Sequence, residues 1–208
     1  MTPAEKTISI GNVLRADIRG FVVASRIPEP DVPTFGTFVR APIQQGQADL
    51  IGLVYNISLQ DDPFLKNLAV ALDEDNPHYE EIIRDQRDNR AIPVEISVVA
   101  VGCREGDRTR YGLPPQPPMV LNRITVCSSA EVCEITRRPD FLRALLDNRD
   151  VPADELIPTA LRRAAGLRPS EQRDAFYVDA GRYLARNLGR DPVRLERVLR
   201  RLELETDE

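Results

Sequence analysis

The sequence predicts a small antiparallel β-barrel carrying a helical insertion, followed by a C-terminal helical subdomain. Three observations carry that expectation. Residues 1–60 break into short β-prone runs punctuated by Gly and Pro. Ile92, Val94, Ile96 and Val98 alternate with Pro93, Glu95 and Ser97, the period of two of a half-buried strand. Residues 137–208 carry apolar stripes at helical spacing among many arginines. These set the boundaries: a barrel domain over 1–136 with its insertion at about 61–90, then an Arg-rich helical subdomain over 137–208.

Taken in order, Ile8 to Leu14 mixes β-branched and polar residues around Gly11, and Gly20 to Ser25 is a second strand. A Pro-rich loop, Pro28 to Pro33, leads to a third, Gly36 to Pro42, which proline ends. Gln44 to Gln47 is a turn. Ala48 to Ser58 is a longer strand with Gly52 where a barrel strand bends or bulges. Short strands separated by Gly/Pro turns suggest a small barrel or sandwich. Asp62-Pro63 and Asn76-Pro77 each open a helix, the second with Tyr79, Ile82 and Ile83 on one face. Arg104 to Arg110 reads as a polar turn and Arg123 to Cys127 as the last strand.

Beyond it, Pro139 opens a helix holding Phe141, Leu142, Leu145 and Leu146. Asp150 and Pro152 begin the next, which Pro158 should kink or split. Pro169 precedes a helix striped by Tyr177, Gly181, Leu184 and Leu188. Asp191-Pro192 opens the last, striped by Leu195, Val198, Leu199 and Leu202. These leucines can satisfy one another, which predicts a tail packed on itself, a barrel surface left free, and a 1–136 fragment that folds alone. No internal repeat of fixed period is visible.

Hydrophobic residues make up 42% and charged residues 29%, ordinary for a globular protein. Apolar runs fall far short of the ~20 residues of a membrane helix. Met1 to Lys6 lacks the basic and apolar regions of a signal peptide. Cys103, Cys127 and Cys133 form an odd set without Cys-x-x-Cys spacing, so a cytoplasmic protein with free thiols is expected. The net charge of −5 hides an asymmetry: residues 1–136 hold 13 Lys+Arg and 19 Asp+Glu, residues 137–208 hold 15 Arg, no Lys and 14 Asp+Glu. Four of those acids lie in Glu203 to Glu208, and without them the helical part is net basic.

The chemistry-bearing patterns are few. His78 is the single histidine, and its neighbours Tyr79, Glu80 and Glu81 form no nucleophile-activating arrangement. One His and three dispersed Cys lack zinc-ligand spacing. Neither Gly-Lys-Ser/Thr nor Gly-x-Gly-x-x-Gly occurs, so a nucleotide would belong to a partner. In Asp73-Glu74-Asp75 the calcium-loop order fails, with His78 where Gly is needed and Arg84 where Glu is needed. Asp61-Asp62 reads as a helix cap. No catalytic residue, metal or cofactor is expected.

Two segments read as interaction candidates. Leu113 to Leu121 must be largely extended, because Pro114, Pro115, Pro117 and Pro118 fix φ and remove donors. It is either a stiff connector or, through Pro114, Pro115, Gln116, Pro117 and Pro118, a pre-ordered surface that a partner recognises. Arg182, Arg186, Arg190, Arg194, Arg197 and Arg201 follow helical spacing across the last two helices, a possible phosphate-binding face. Glu196 precedes Arg200 by four residues, an intrahelical pair, and no aromatic residues interleave.

Ile10-Gly11-x-Val13, the segment around Phe35-Gly36-x-Phe38-Val39, and Ile51-Gly52-Leu53-Val54 resemble the HAS-barrel family, named for the HerA translocase and the ATP synthase. The Pro-rich stretch running on to Glu131-Val132 is similar to the closing part of a stand-alone member, so the resemblance covers roughly 8–134. It implies a non-catalytic HAS-type barrel that sits on a hexameric ATPase, helping form a ring or dock a partner. The HerA ATPases work with the NurA nuclease in DNA-end processing. Here an Arg-rich helical segment follows the barrel instead of an ATPase domain. The resemblance therefore implies a non-enzymatic accessory protein that binds a separately encoded HerA/FtsK-like ATPase or its NurA-type nuclease partner. Whether it joins a ring or caps one stays open. The alternative is a nucleic-acid-binding barrel using its Arg-rich helices for phosphate contacts, with an enzyme of unrecognised site ranking third.

Overall fold

The computed structural model describes residues 8–25, 33–59 and 94–203. Seven antiparallel strands lie in the order β2-β1-β7-β3-β4-β5-β6: β1 (Ser9–Asp17), β2 (Gly20–Ser25), β3 (Phe38–Ile43), β4 (Ala48–Leu59), β5 (Val94–Glu105), β6 (Arg108–Tyr111) and β7 (Arg123–Val126). β2 also pairs with β5, from Gly20 opposite Val99 to Ser25 opposite Val94. That pairing closes a six-stranded barrel and leaves β6 as a further strand on β5. The lumen is filled by alternate side chains, among them Ile10, Val13, Phe21, Val23, Leu50, Val54, Ile96 and Ile124. Small barrels are packed cores rather than channels.

Among the described residues five α-helices follow β7: α1 (Ser129–Ile135), α2 (Leu142–Leu146), α3 (Ala153–Gly166), α4 (Ser170–Asn187) and α5 (Pro192–Glu203), with a 3-10 turn at Pro139–Phe141. Among the described residues no helix is long and apolar enough to cross a membrane. The helices share a second core with the outside of the barrel. Phe38, Ile51, Leu53, Val99 and Val101 from β3, β4 and β5 pack with Val132, Phe141, Leu142, Leu145, Leu156 and Leu161. The rings of Phe38 and Phe141 lie 6.3 Å apart, tilted by 57°. The same cluster takes in Leu184, Leu188 and Val198, so the helical part covers the barrel. The expected tail packed only on itself is corrected accordingly. The leucines of α4 and α5 do meet, but α1, α2 and α3 lie between them and an apolar barrel face that alternate strand residues leave uncovered.

A polar seam edges this contact. Ser128 and Glu131 form a capping box, the Ser128 amide donating to Glu131 Oε2 at 2.8 Å and the Glu131 amide to Ser128 Oγ at 3.3 Å. Glu131 Oε1 also accepts from Arg40 Nη1 of β3 at 2.9 Å, while Arg40 Nε donates to Thr125 of β7 at 3.0 Å. One helix cap thus ties α1 to two barrel strands. Asp49 lies 3.9 Å from the same guanidinium, and burial holds its carboxyl above the usual range although Arg40 opposes that.

Three other expectations change. Arg104 to Arg110 is a hairpin rather than a turn, because β5 continues to Glu105 and a two-residue turn, with Gly106 at φ 55°, returns it as β6. Pro158 does not split α3, which runs unbroken from Ala153 to Gly166 with Pro158 buried on the same helix as Leu156, Ile157, Ala160 and Leu161. Ser129 to Ile135 continues the chain as a helix. The insertion at 61–90, His78, Asp73–Asp75 and the acidic tail beyond Glu203 lie outside the described residues.

Gly52 sits at a register shift in the β4–β5 ladder, as a barrel bend requires, but not in the left-handed region. Its constraint is space: a Cβ there would meet Val98 Cγ1 at 2.4 Å and the Val99 carbonyl oxygen at 2.8 Å. Gly36 has both constraints, with φ 77° and the Thr159 methyl of α3 at 2.6 Å from an added Cβ. Overpacking of this kind costs about 1–3 kcal/mol, so Gly52→Val should lower the unfolding free energy from a urea titration by about that amount, through a lower midpoint at an unchanged slope. A fragment of residues 1–136 should bind the dye ANS and lack a cooperative melt, because the outer face around Phe38, Leu53 and Val101 loses its cover. A sharp transition and no dye binding would show that the barrel stands without its helices.

Candidate partner-docking site

One end of the barrel concentrates apolar side chains in solvent. In the β1–β2 ladder Val13 faces Val23 while Arg15 faces Val22, so Leu14 is the extra residue of a β-bulge and is turned outward. Beside it, the Leu121 amide donates to the Val13 carbonyl at 2.8 Å and the Val13 amide to the Asn122 carbonyl at 2.9 Å. Asn122 is held twice more, by its amide on the Met119 carbonyl at 3.1 Å and its side-chain amide on the Pro42 carbonyl at 3.0 Å. The loop is therefore fixed to β1 and β3. On it Met119, Val120 and Leu121 stand 70%, 59% and 77% exposed. Ile18, in the β1–β2 turn, is also exposed.

Backbone strain falls at the same place. Leu121 has φ 68°, and the other described non-glycine residues with positive φ are Gln44 and Gln45, in the β3–β4 turn that begins two residues after Pro42. A left-handed conformation costs an L-residue roughly 1–2 kcal/mol, and such strain clusters where function constrains the chain. Here it accompanies large apolar side chains turned to water, an arrangement associated with contact surfaces.

The prolines that stand out in the sequence serve as anchors and spacers. Pro114 and Pro118 are buried, Pro117 is half-buried, and Pro115 and Gln116 are exposed. The segment joins β6, on one side of the barrel, to β7, between β1 and β3. Sequence reasoning stopped at the prolines, although the three residues after Pro118 carry a signal of their own. Met119-Val120-Leu121 is an uninterrupted apolar run, and a half-buried strand would have alternated.

The charges near the β1–β2 turn are mixed: Arg15, Asp17 and Arg19 share a cleft with Asn148 and Asp150 from the loop between α2 and α3. Arg15 pairs with Glu95 at 2.8 Å, and that carboxylate raises the guanidinium's pKa. Asp17 Oδ1 accepts the amides of Arg19 at 2.7 Å and Gly20 at 3.1 Å. Arg19 and Arg123 are exposed, and among the described residues no carboxylate comes within ion-pair distance of either.

The helical arginines are arranged differently. Arg194 and Arg197 hold Asp154 at 2.7 and 3.2 Å, and Arg201 holds Glu155, so α5 is clamped to the first turn of α3. Arg182 pairs with Asp179 at 3.6 Å. Arg186 and Arg190 are exposed without an ion pair among the described residues. Arg168 lies over the Phe176 ring at 4.1 Å and donates to the carbonyls of Ala164 and Thr136, closing the ends of α3 and α1. Cys103 and Cys127 are buried, and burial pushes both thiols up. No group of acidic, His or Cys side chains among the described residues is placed to hold a metal.

No protein-family model matches this chain, and a search of curated proteins returns no relative.

Leu121→Gly tests the strain. Glycine adopts φ 68° freely but loses about 0.5–1 kcal/mol through the flexibility of the unfolded chain, against the roughly 1–2 kcal/mol relieved. The variant should melt at the wild-type temperature or slightly above, although it removes a leucine. A clear fall in melting temperature would mean the side chain packs in the isolated protein.

Proposed function

We propose that this chain is a non-enzymatic docking module that binds a separately encoded hexameric ATPase of the HerA/FtsK type, or the NurA-type nuclease that works with such an ATPase, in DNA-end processing. The observation that carries the docking part is the fixed, strained loop presenting Met119, Val120 and Leu121 beside the bulged Leu14. The partner's class rests on the resemblance of the glycine-centred strand segments around Gly11, Gly36 and Gly52 to HAS barrels. The helices support the assignment of surfaces, because they cover β3, β4 and β5 while Met119, Val120 and Leu121 stay exposed. Four of the six arginines in the helical stripe hold carboxylates of the chain itself, which favours protein docking over phosphate binding as their context.

The test is capture by the tagged full chain from a lysate of its own host, with mass spectrometry, beside a Met119→Asp/Leu121→Asp variant. Wild type should retain an ATPase or a nuclease, and the variant should lose at least nine-tenths of it. Equal retention by both proteins would remove the loop from the interface. Retention of DNA alone, falling steeply with salt, would replace this reading with the nucleic-acid one.

A further inference from the structure

We infer that α4 pairs with the α4 of a second copy of this chain, antiparallel about Val178. The surface shares no residue with the Met119–Leu121 loop, and the inference does not rest on the docking reading. The helix packs on one side. Ala180 and Leu184 are buried, and Phe176, Tyr177 and Tyr183 pack against the same core. With about 3.6 residues per turn, the opposite side of α4 is formed by Glu171, Asp174, Ala175, Val178, Arg182 and Ala185. All six are exposed, Val178 at the centre by 49%. Beside it, a Cβ added at Gly181 would meet no described atom within 4 Å. Ser170 to Ala175 are exposed without exception, so none of the described residues covers that end of the helix.

The order of the charges selects a second copy. Glu171 and Asp174 precede Val178, whereas Arg182 and Arg186 follow it. Asp179, on the flank, holds Arg182 within the helix at 3.6 Å. Asp174 and Arg186 have no ion pair among the described residues, and Glu171 accepts the Ser170 hydroxyl at 3.1 Å. A two-fold axis at Val178 sets the acidic end of each helix beside the basic end of the other, and Val178 against Val178. Such a patch is its own complement, as a two-fold interface requires. Parallel pairing would oppose like charges, which is costly. Acids first and arginines last also suit the helix dipole, but that effect falls off within the first and last turns, and Asp174 and Arg182 lie deeper. A nucleic acid would meet the carboxylates of Glu171, Asp174 and Asp179. The 18 residues of α4 span about 27 Å. One face of such a helix buries less than the roughly 800 Å² per partner of a standard interface, so the dimer forms reversibly with concentration.

Sedimentation velocity of the full chain over a concentration series gives the test. Wild type should pass from monomer to dimer as concentration rises, and the dimer should weaken with salt. Val178→Lys should weaken dimerisation at least tenfold, because it sets two ammonium groups at the axis. Glu171→Arg and Arg186→Glu should each do the same, since each opposes like charges at both ends of the pair. An equimolar mixture of those two single variants should dimerise as wild type does, because each supplies the charge the other needs. All three positions are exposed, so melting temperatures should stay close to wild type. Recovery in the mixture separates a lost contact from a folding fault in either variant. The inference is overturned by a chain that stays monomeric at every concentration, by any of the three single variants dimerising as tightly as wild type, or by a mixture that stays monomeric. Loss of the dimer in Met119→Asp, with the α4 variants unaffected, would also overturn it and move self-association to the loop.

Discussion

Three strands, β3, β4 and β5, are buried on both faces, and the rest of the molecule is arranged around that constraint. Their inward side chains close the lumen with Val39, Leu50, Val54 and Ile96, while Phe38, Ile51, Leu53, Val99 and Val101 face the helices. Each large apolar side chain buried this way contributes about 1.5–3 kcal/mol, so the outer face cannot be left to water without a large loss. The helices are therefore half of the barrel's burial rather than an attached tail. The Arg40–Glu131 contact at 2.9 Å sets where α1 begins on that face.

This double burial also decides which surface is open. With the outside of β3, β4 and β5 covered, the unshared surface includes β1, the loop before β7 and the β1–β2 turn. The Leu14 bulge and the left-handed Leu121 lie there together, joined by the Leu121–Val13 hydrogen bond. Either irregularity alone would be a local accommodation. Side by side, both turn leucines outward, Leu121 from a loop end whose backbone is held by the Leu121–Val13 and Asn122–Met119 hydrogen bonds, which separates rigidity there from any packing of the side chains.

The barrel was legible where one face of a strand meets solvent or a lumen. Ile92 to Val98 showed the period of two, and β5 was recognised from it. Its second half, Val98 to Cys103, is buried throughout and carries no period to read. The β5–β6 hairpin was missed because charged residues flank its Gly106-Asp107 turn, where a hairpin pattern expects alternating apolar ones. The Ser128-x-x-Glu131 capping signature lay in plain view, but the seven residues of α1 are too few for a helical apolar period to show. Of the two outcomes expected at Pro158 the split does not occur, since α3 continues through it and buries Leu156, Ile157, Ala160 and Leu161.

The arginines show why the candidate site was harder to read than the fold. Composition concentrates them in the helices, and helical spacing arranged six of them into a stripe that invites phosphate. Tertiary structure matches most of that stripe to Asp154, Glu155 and Asp179. Asp154 and Glu155 come from another helix, so a linear reading of charge could not pair them, whereas Asp179 lies within reach on the same helix as Arg182. Arg19 and Arg123 attract no notice in the sequence, each standing alone among β-prone residues. Folding brings β1 and β7 together with Asp17 already engaged by backbone amides, and no described carboxylate answers either guanidinium. An arginine's availability is thus set by what the fold places within about 4 Å of it. By that criterion Arg123, two residues beyond exposed Leu121, is better placed for a partner than the four stripe arginines that already hold carboxylates.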